Sequence, residues 1–353
     1  MTQAASVPVY FASQNTPPQT GIALARLDTQ SGQLTTPVLV AQTPDPSFLV
    51  IHADRKHLYI CNSQTPGGMS AFAIQSGSGA LSFLNHRVAS GRGPSHVSID
   101  RSGRYVFNAN YGGGYVEVYA RNGDGSLGER TAFVQHTGSS VHPERQTRAY
   151  AHWVGASPDN RFALAADLGT DRIVVYRFDD HTGTLQPNDP PFISAAAGAG
   201  PRHIAWHPDG KHFYLVEELA NAVALYSWDA AKGTGAIQQT ISTLPDGFSG
   251  ASTAAEIAVH PNGRFLYASN RGDDSIALFA LDDTGHMTPR GHTSSQGKVP
   301  RYFAFDPTSR WLVVTNQNSD NVVVFSVNAN TGELKQAGSP VALPKPGGIA
   351  FGK

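Results

Sequence analysis

The stretch PRHIAWHPDGKHFYLVEE, residues 201–218, sets two apolar runs on either side of the turn HPDG. Runs of this length separated by Pro, Asp and Gly read as two antiparallel strands joined by a tight turn. Cross-strand neighbours then have numbers adding to about 419 or 420, which places Arg202 opposite Glu217 or Glu218. A one-residue change of register exchanges the two faces, so the pattern leaves both acids open. After the hairpin comes a third run, AVALYSW, and then TGAI at 234.

That order recurs along the chain. The small motif of Ser, Thr or Asp, then Gly, any residue, and Leu, Ile or Met appears as SGQL at 31, SGAL at 78, DGSL at 124, TGTL at 182, TGAI at 234, TGHM at 284 and TGEL at 331. Ahead of each copy lies an alternating run such as GIALARLD, DRIVVYRF or DNVVVFSV, and ahead of that a strand such as VYFAS, LYICN or LVVTNQ. The first strands begin near Pro46, Pro94, Ala151, Pro201, Ala254, Pro300 and Pro346. Four strands in a repeat of roughly 40 to 50 residues read as the blade of a propeller. The chain enters at a second strand and ends after a first one, so the two termini complete a shared seventh blade, which removes an exposed sheet edge. The expected fold is all-β: one domain over 1–353, a seven-bladed β-propeller of four-stranded antiparallel blades.

The bulk composition narrows the function. Of 353 residues 40% are apolar and 15% are charged, with 26 basic against 27 acidic. A balance so near zero, with no basic run, excludes the electrostatic footprint of a nucleic-acid binder. No stretch approaches the roughly 20 apolar residues of a membrane span, and the opening MTQAASVPVYFASQ lacks the pattern of a secretory leader. Cys61 is the only cysteine, so neither disulfides nor a thiolate zinc site holds the fold. These features predict a cytoplasmic protein, a monomer or weak homodimer, with a small-molecule ligand as its partner.

In a propeller the first strand of each blade lines the central channel, and its start shares one mouth with the end of the second strand. The seven repeats carry Ser47, Ser95, His152, Arg202, Ala255, Arg301 and Gly347 at the first of these positions. At the second they carry Gln14, Ser63, Tyr111, Leu168, Glu218, Arg271 and Gln317. A structural need recurs in every blade, and the charged residues do not. A neighbouring row, Asn62, Asn110, Asp167, Glu217, Asn270 and Asn316, is polar throughout and reads as structural hydrogen bonding. His207 and His260, at the far turns, read as structural too. His142, Arg145 and Arg148 lie on the long connection VQHTGSSVHPERQTRAY, where the mouth and bulk solvent are both within reach.

Arginines around a cavity suit an anionic small molecule, because guanidinium forks bind phosphate and carboxylate bidentately. His152 and Glu218 are the candidate general acid and base, and Arg202 and Arg271 complete the expected catalytic set. Arg301, His203, Glu217 and Tyr111 are the expected substrate contacts. No G-x-S-x-G elbow or H-E-x-x-H motif is present, and GDGSLG at 123 lies in a turn that opens no helix.

GPRHIAWHPDGKHFYLVEEL, HPNGRFLYASNRGDDSIALF and AHWVGASPDNRFALAADLGTDRIVVY resemble the lactonase family, which includes bacterial propeller-type 6-phosphogluconolactonases and fungal carboxymuconate cyclases. The likeness runs blade by blade through essentially the whole chain. It implies a channel-mouth site that uses no metal or cofactor, with His152, Arg202, Glu218 and Arg271 in the family's site positions. It implies lactone hydrolysis feeding the pentose phosphate pathway, with the cyclase reaction or a non-catalytic ligand platform as alternatives. Two positions depart from the family pattern: Tyr150 stands where a first histidine is usual, and Glu217 where Asn is usual.

Overall fold

A computed structural model describes residues 6–15 and 19–352. Their 28 strands form seven four-stranded antiparallel sheets, and no helix occurs among the described residues. Blades 1 to 6 open with the strands Pro46–Ile51, Pro94–Ile99, Ala151–Ala156, Pro201–Trp206, Thr253–Val259 and Pro300–Phe305. Blade 7 takes its first strand, Pro346–Phe351, from the end of the chain and the other three, Ser6–Ser13, Gly21–Asp28 and Val38–Gln42, from its beginning. Each first strand packs against the first strand of the next blade all the way round, so these strands line the channel.

Seven apolar clusters fill the seven gaps between adjacent blades. The second strand of blade 4, His212–Glu217, explains how one strand serves two gaps: Phe213 and Leu215 face blade 3, while Tyr214 and Val216 face blade 5. Successive side chains of a strand point to opposite faces, so a strand buried on both sides reads as a continuous apolar run. Fourth strands lie at the rim and read differently. Leu334–Ala342, for example, has no buried residue.

The repeated Gly motif joins neighbouring blades. An aromatic near the start of each second strand reaches the turn before the next blade's fourth strand. Tyr10 donates to the Gly79 carbonyl at 2.7 Å, Tyr59 to Gly125 at 2.8 Å, Tyr214 to Gly285 at 2.7 Å and Tyr267 to Gly332 at 2.6 Å. Blades 6 and 7 are joined by Trp311 Nε1, which donates to the Thr29 carbonyl at 3.0 Å. In blade 4 the motif at 234 is displaced by two residues. The turn glycine there is Gly233, with φ +68° against the Phe162 ring, whereas Gly235 lies in the fourth strand and Ile237 is exposed.

Near the channel mouth every first strand carries a register shift. In blade 4 the pairs from His203↔Val216 to Trp206↔Phe213 keep the expected sum, but Pro201 pairs with Glu217, so Arg202 has no partner opposite it. The same shift spans Pro46/Leu49, Pro94/His96, Ala151/Trp153, Ala254/Ile257 and Pro300/Tyr302, and it recurs where the first strand of blade 7 meets Phe11/Ser13. A bulge bends the strand and re-aims a side chain. The residues it frees are those of the irregular row noted in the sequence: Ser47, Ser95, His152, Arg202, Ala255, Arg301 and Gly347.

The latch makes a test. Gly183 has φ +72°, and a Cβ there would lie 2.2 Å from Tyr105 Cε1, while Gly77 has φ +80° with open space around it. Both Ala variants carry a left-handed penalty of about 1–2 kcal/mol. Gly183→Ala must also displace the Tyr105 ring, so its thermal midpoint is expected to fall clearly below that of Gly77→Ala; equal midpoints would contradict the latch.

Candidate active site

Glu218 directly follows the second strand of blade 4, where its N–H donates to the Gly200 carbonyl at 2.8 Å. Its carboxylate gathers three guanidinium groups. Arg202 Nε donates to Oε2 at 2.9 Å, Arg271 Nη2 lies 3.0 Å from the same oxygen, and Arg145 Nη2 donates to Oε1 at 2.6 Å. Burial alone would raise the Glu218 pKa, but Arg271, Arg202 and Arg145 outweigh it and lower it to about 2. Arg271 is pulled the other way: burial lowers its pKa to about 10 despite Glu218. Arg202 is fully buried, and its Nη1 donates to the Ala255 carbonyl of blade 5 at 2.7 Å.

Arg145 arrives on the long connection before blade 3, which the buried Gln146 anchors. Gln146 Nε2 donates to the Leu168 carbonyl at 2.9 Å and to Asp171 Oδ1 at 2.7 Å, and its Oε1 accepts the His142 N–H at 3.0 Å. Ser140 donates to Asp171 Oδ2 at 2.6 Å, which holds the loop at a second point. Arg145 thereby turns into the mouth. Arg148 instead donates to the Gly112 carbonyl and lies over the Tyr150 ring, which stacks behind Tyr111.

His152 lies in the bulge of blade 3, edge-on to Tyr111 at 5.4 Å and above His203 at 5.1 Å. Its Nδ1 is buried with no hydrogen-bond partner. Burial and the charges of Arg202, Arg301 and Arg271 push its pKa well below the ordinary histidine value, so the ring is neutral at neutral pH. Deeper in the channel, His203 Nδ1 lies 3.0 Å from Glu256 Oε1.

These residues surround a cavity of about 340 Å³. His152, Glu218, Arg271, Arg301 and Tyr111 line it, joined by Arg92, Arg145, Asp45 and several small polar residues. Arg202 and His203 are not on its wall: Arg202 lies behind Glu218, and His203 beneath His152. Arg92 and Arg145 are additions that sequence reasoning did not single out as site residues. The length of Arg145's loop was the available signal, and Arg92, just before the first strand of blade 2, offered none.

Fold and site together define a propeller enzyme with an arginine-rich channel mouth. Residues 8–351 match the family model described as lactonase, 7-bladed beta-propeller. The chain is 37% identical over 333 residues to the 6-phosphogluconolactonase of Bacillus subtilis, covering 94% of each. It is 32% identical over 329 residues to that of Formosa agariphila, covering 90% of this chain and 92% of the relative. The periplasmic gluconolactonase of Pseudomonas aeruginosa superposes with a TM-score of 0.92 at 32% identity, covering 99% of each chain. The chain belongs to this lactonase family of seven-bladed propellers and is a 6-phosphogluconolactonase-like enzyme.

Glu217 is not a wall of the cavity. It occupies the row in which Asn62, Asn270 and Asn316 hold the preceding connection by hydrogen bonds. Ahead of blade 4, Asp171 of blade 3 does that work, accepting from the Gly198 and Gly200 N–H groups, and Glu217 Oε1 is left buried without a partner. Burial and the nearby Asp171 raise the Glu217 pKa to about 7. An acid with a raised folded-state pKa favours folding below its unfolded pKa, and that contribution is lost as the pH rises through about 7. Glu217→Gln removes the loss. Its advantage over the natural chain is expected to grow by on the order of 1–3 kcal/mol between about pH 5 and pH 8. Thermal melts at the two pH values check this, and a pH-independent difference would contradict it.

Proposed function

We propose that this enzyme hydrolyses 6-phosphogluconolactone to 6-phosphogluconate. The observation that carries the reading is the charge of the cavity wall. Four arginines face two carboxylates there, and Arg92 and Arg301 pair with no carboxylate among the described residues. Such groups suit a phosphate at one end of the substrate and a developing oxyanion at the other.

In the proposed reaction water attacks the lactone carbonyl carbon, and neutral His152 takes the proton as the new C–O bond forms. The carbonyl oxygen becomes an oxyanion facing Arg271 and Arg301. As the intermediate collapses, the ring C–O bond breaks and His152 returns the proton to the departing oxygen, leaving a hydroxyl and a carboxylic acid, which ionises to the carboxylate by releasing its proton to solvent. Glu218 is a poor base while three guanidinium groups hold it ionised. We assign it the role of orienting Arg145, Arg202 and Arg271.

The test follows acid release from freshly generated 6-phosphogluconolactone. A rate well above buffer is expected; a rate equal to buffer overturns the proposal, and turnover of a carboxymuconate in its place favours ring closure. His152→Gln is expected to lower kcat by about 10²–10⁴. Arg92→Ala should raise KM for the phosphorylated lactone and leave KM for plain gluconolactone nearly unchanged.

A base must be neutral to act, and His152 titrates well below the ordinary histidine value. The expected kcat/KM is therefore level as the pH falls through 6.5, and it declines only in more acidic solution. A fall centred on the ordinary histidine pKa would remove His152 from this role.

A further inference from the structure

At the end of the channel opposite the cavity, the turns between first and second strands carry a pattern that the lactonase reading leaves unused. Blade 1 has His52, Asp54 and His57, and blade 4 has His207, Asp209 and His212. The first histidine of each set latches onto the next blade. His52 Nε2 lies 3.1 Å from the Gly103 carbonyl and His207 Nε2 3.0 Å from that of Gly263. Blade 5 makes the same latch from His260 Nε2 to the Ser309 carbonyl at 3.0 Å, although Asn262 and Phe265 stand in the other two places. The aspartate and second histidine are therefore not needed for latching.

The latch fixes a tautomer. A carbonyl only accepts, so Nε2 of His207 carries the hydrogen and Nδ1 offers a lone pair, toward which the Asp209 N–H points at 3.3 Å. Asp209 Oδ2 lies 3.0 Å from that same Nδ1 and 2.8 Å from Nδ1 of His212. Two acceptors at such a distance call for a positive charge between them, either a second proton on His207 or a metal ion. The separation also matches ligands held about 2.0–2.2 Å from one first-row metal ion.

Blade 1 provides an internal control, because there a guanidinium supplies the cation. Arg121 Nη2 lies 2.6 Å from Asp54 Oδ2 and 2.8 Å from His57 Nδ1. Around blade 4 the corresponding residue is Leu281: Arg121 N–H donates to the Arg104 carbonyl and Leu281 N–H to that of Arg264, both at 2.8 Å. Among the described residues no lysine or arginine side-chain nitrogen comes within 4.0 Å of the Asp209 carboxylate; the Lys211 main-chain N–H donates to its other oxygen, Oδ1, at 2.7 Å. We propose that the far turn of blade 4 binds one divalent transition-metal ion through His207 Nδ1, Asp209 Oδ2 and His212 Nδ1, and that the blade 1 turn does not. The three side chains are 15%, 28% and 20% exposed, which leaves room for water to complete the coordination.

Calorimetric titration of the chelator-stripped full chain with Zn(II), followed by Co(II) absorption spectra, tests this. One saturable site per chain is expected, with a heat that varies with the buffer because His212 releases its Nδ1 proton on binding. His212→Ala and Asp209→Asn, which both keep the His207 latch, should each weaken binding by more than about tenfold. His57→Ala should leave it unchanged. Absence of saturable binding, binding that survives both blade 4 variants, or binding lost in His57→Ala would each overturn the proposal.

Discussion

Pairing between Pro346–Phe351 and Ser6–Ser13 closes the ring, and the other features depend on that closure. Tyr10 opposite Ala350 and Val9 opposite Phe351 complete a sheet whose two faces belong to different cores. Val9 and Phe11 pack toward blade 6, whereas Tyr10 and Ala12 pack toward blade 1. Opening this one sheet would expose two of the seven inter-blade cores at once. A closed ring also sets the channel radius, so a side chain freed by a bulge has only the channel mouth to enter. Strand pairing thus determines which residues can meet, and the bulges determine which of them do.

What meets at the mouth is held by charge. A lone buried carboxylate is costly, and several guanidinium groups packed together repel one another. Glu218 and its three arginines resolve both problems, since each contact offsets the desolvation of the other. The arginines come from three places: the connection before blade 3, blade 4 and blade 5. One carboxylate therefore couples separate parts of the ring and fixes the field that a ligand meets. Its own chemistry is given up in the process. A group lowered to about 2 holds its proton poorly at neutral pH, so in the proposed reaction the base is the neutral His152.

Much of this was legible in the residues because the repeat supplies seven aligned copies of each position. Comparing copies isolated His152, Arg202, Glu218 and Arg271, and the latch glycines appeared as a recurring motif before their partners were known. Three things were not legible. The bulge at Arg202 shifts the pairing by one, so counting residues across the turn could not choose between Glu217 and Glu218. Arg145 depends on a loop whose path is set by Gln146 and Asp171, contacts that belong to no repeat. In blade 4 the motif at 234 matched letter by letter but in the wrong frame, because GTG offers two glycines and only the Phe162 contact selects the first.

The contrast between Glu217 and its neighbour shows where a propeller tolerates function. Bulge and far-turn positions lie outside the seven apolar clusters, so His152, Arg202 or Asp209 can replace a small residue there without thinning a core. Glu217 stands one residue from the mouth but in a row that the fold uses to hold its connections. Glu217 loses hydration there and gains nothing comparable in return, which is why its pKa rises while that of Glu218, the next residue, falls. Adjacent acids in one strand end thus have opposite fates, decided by whether the position faces cations or the packed interior of a blade. Departures from sevenfold symmetry are informative only with that distinction made: at a bulge they set the charge that a ligand meets, and in a packed row they mark a cost to stability.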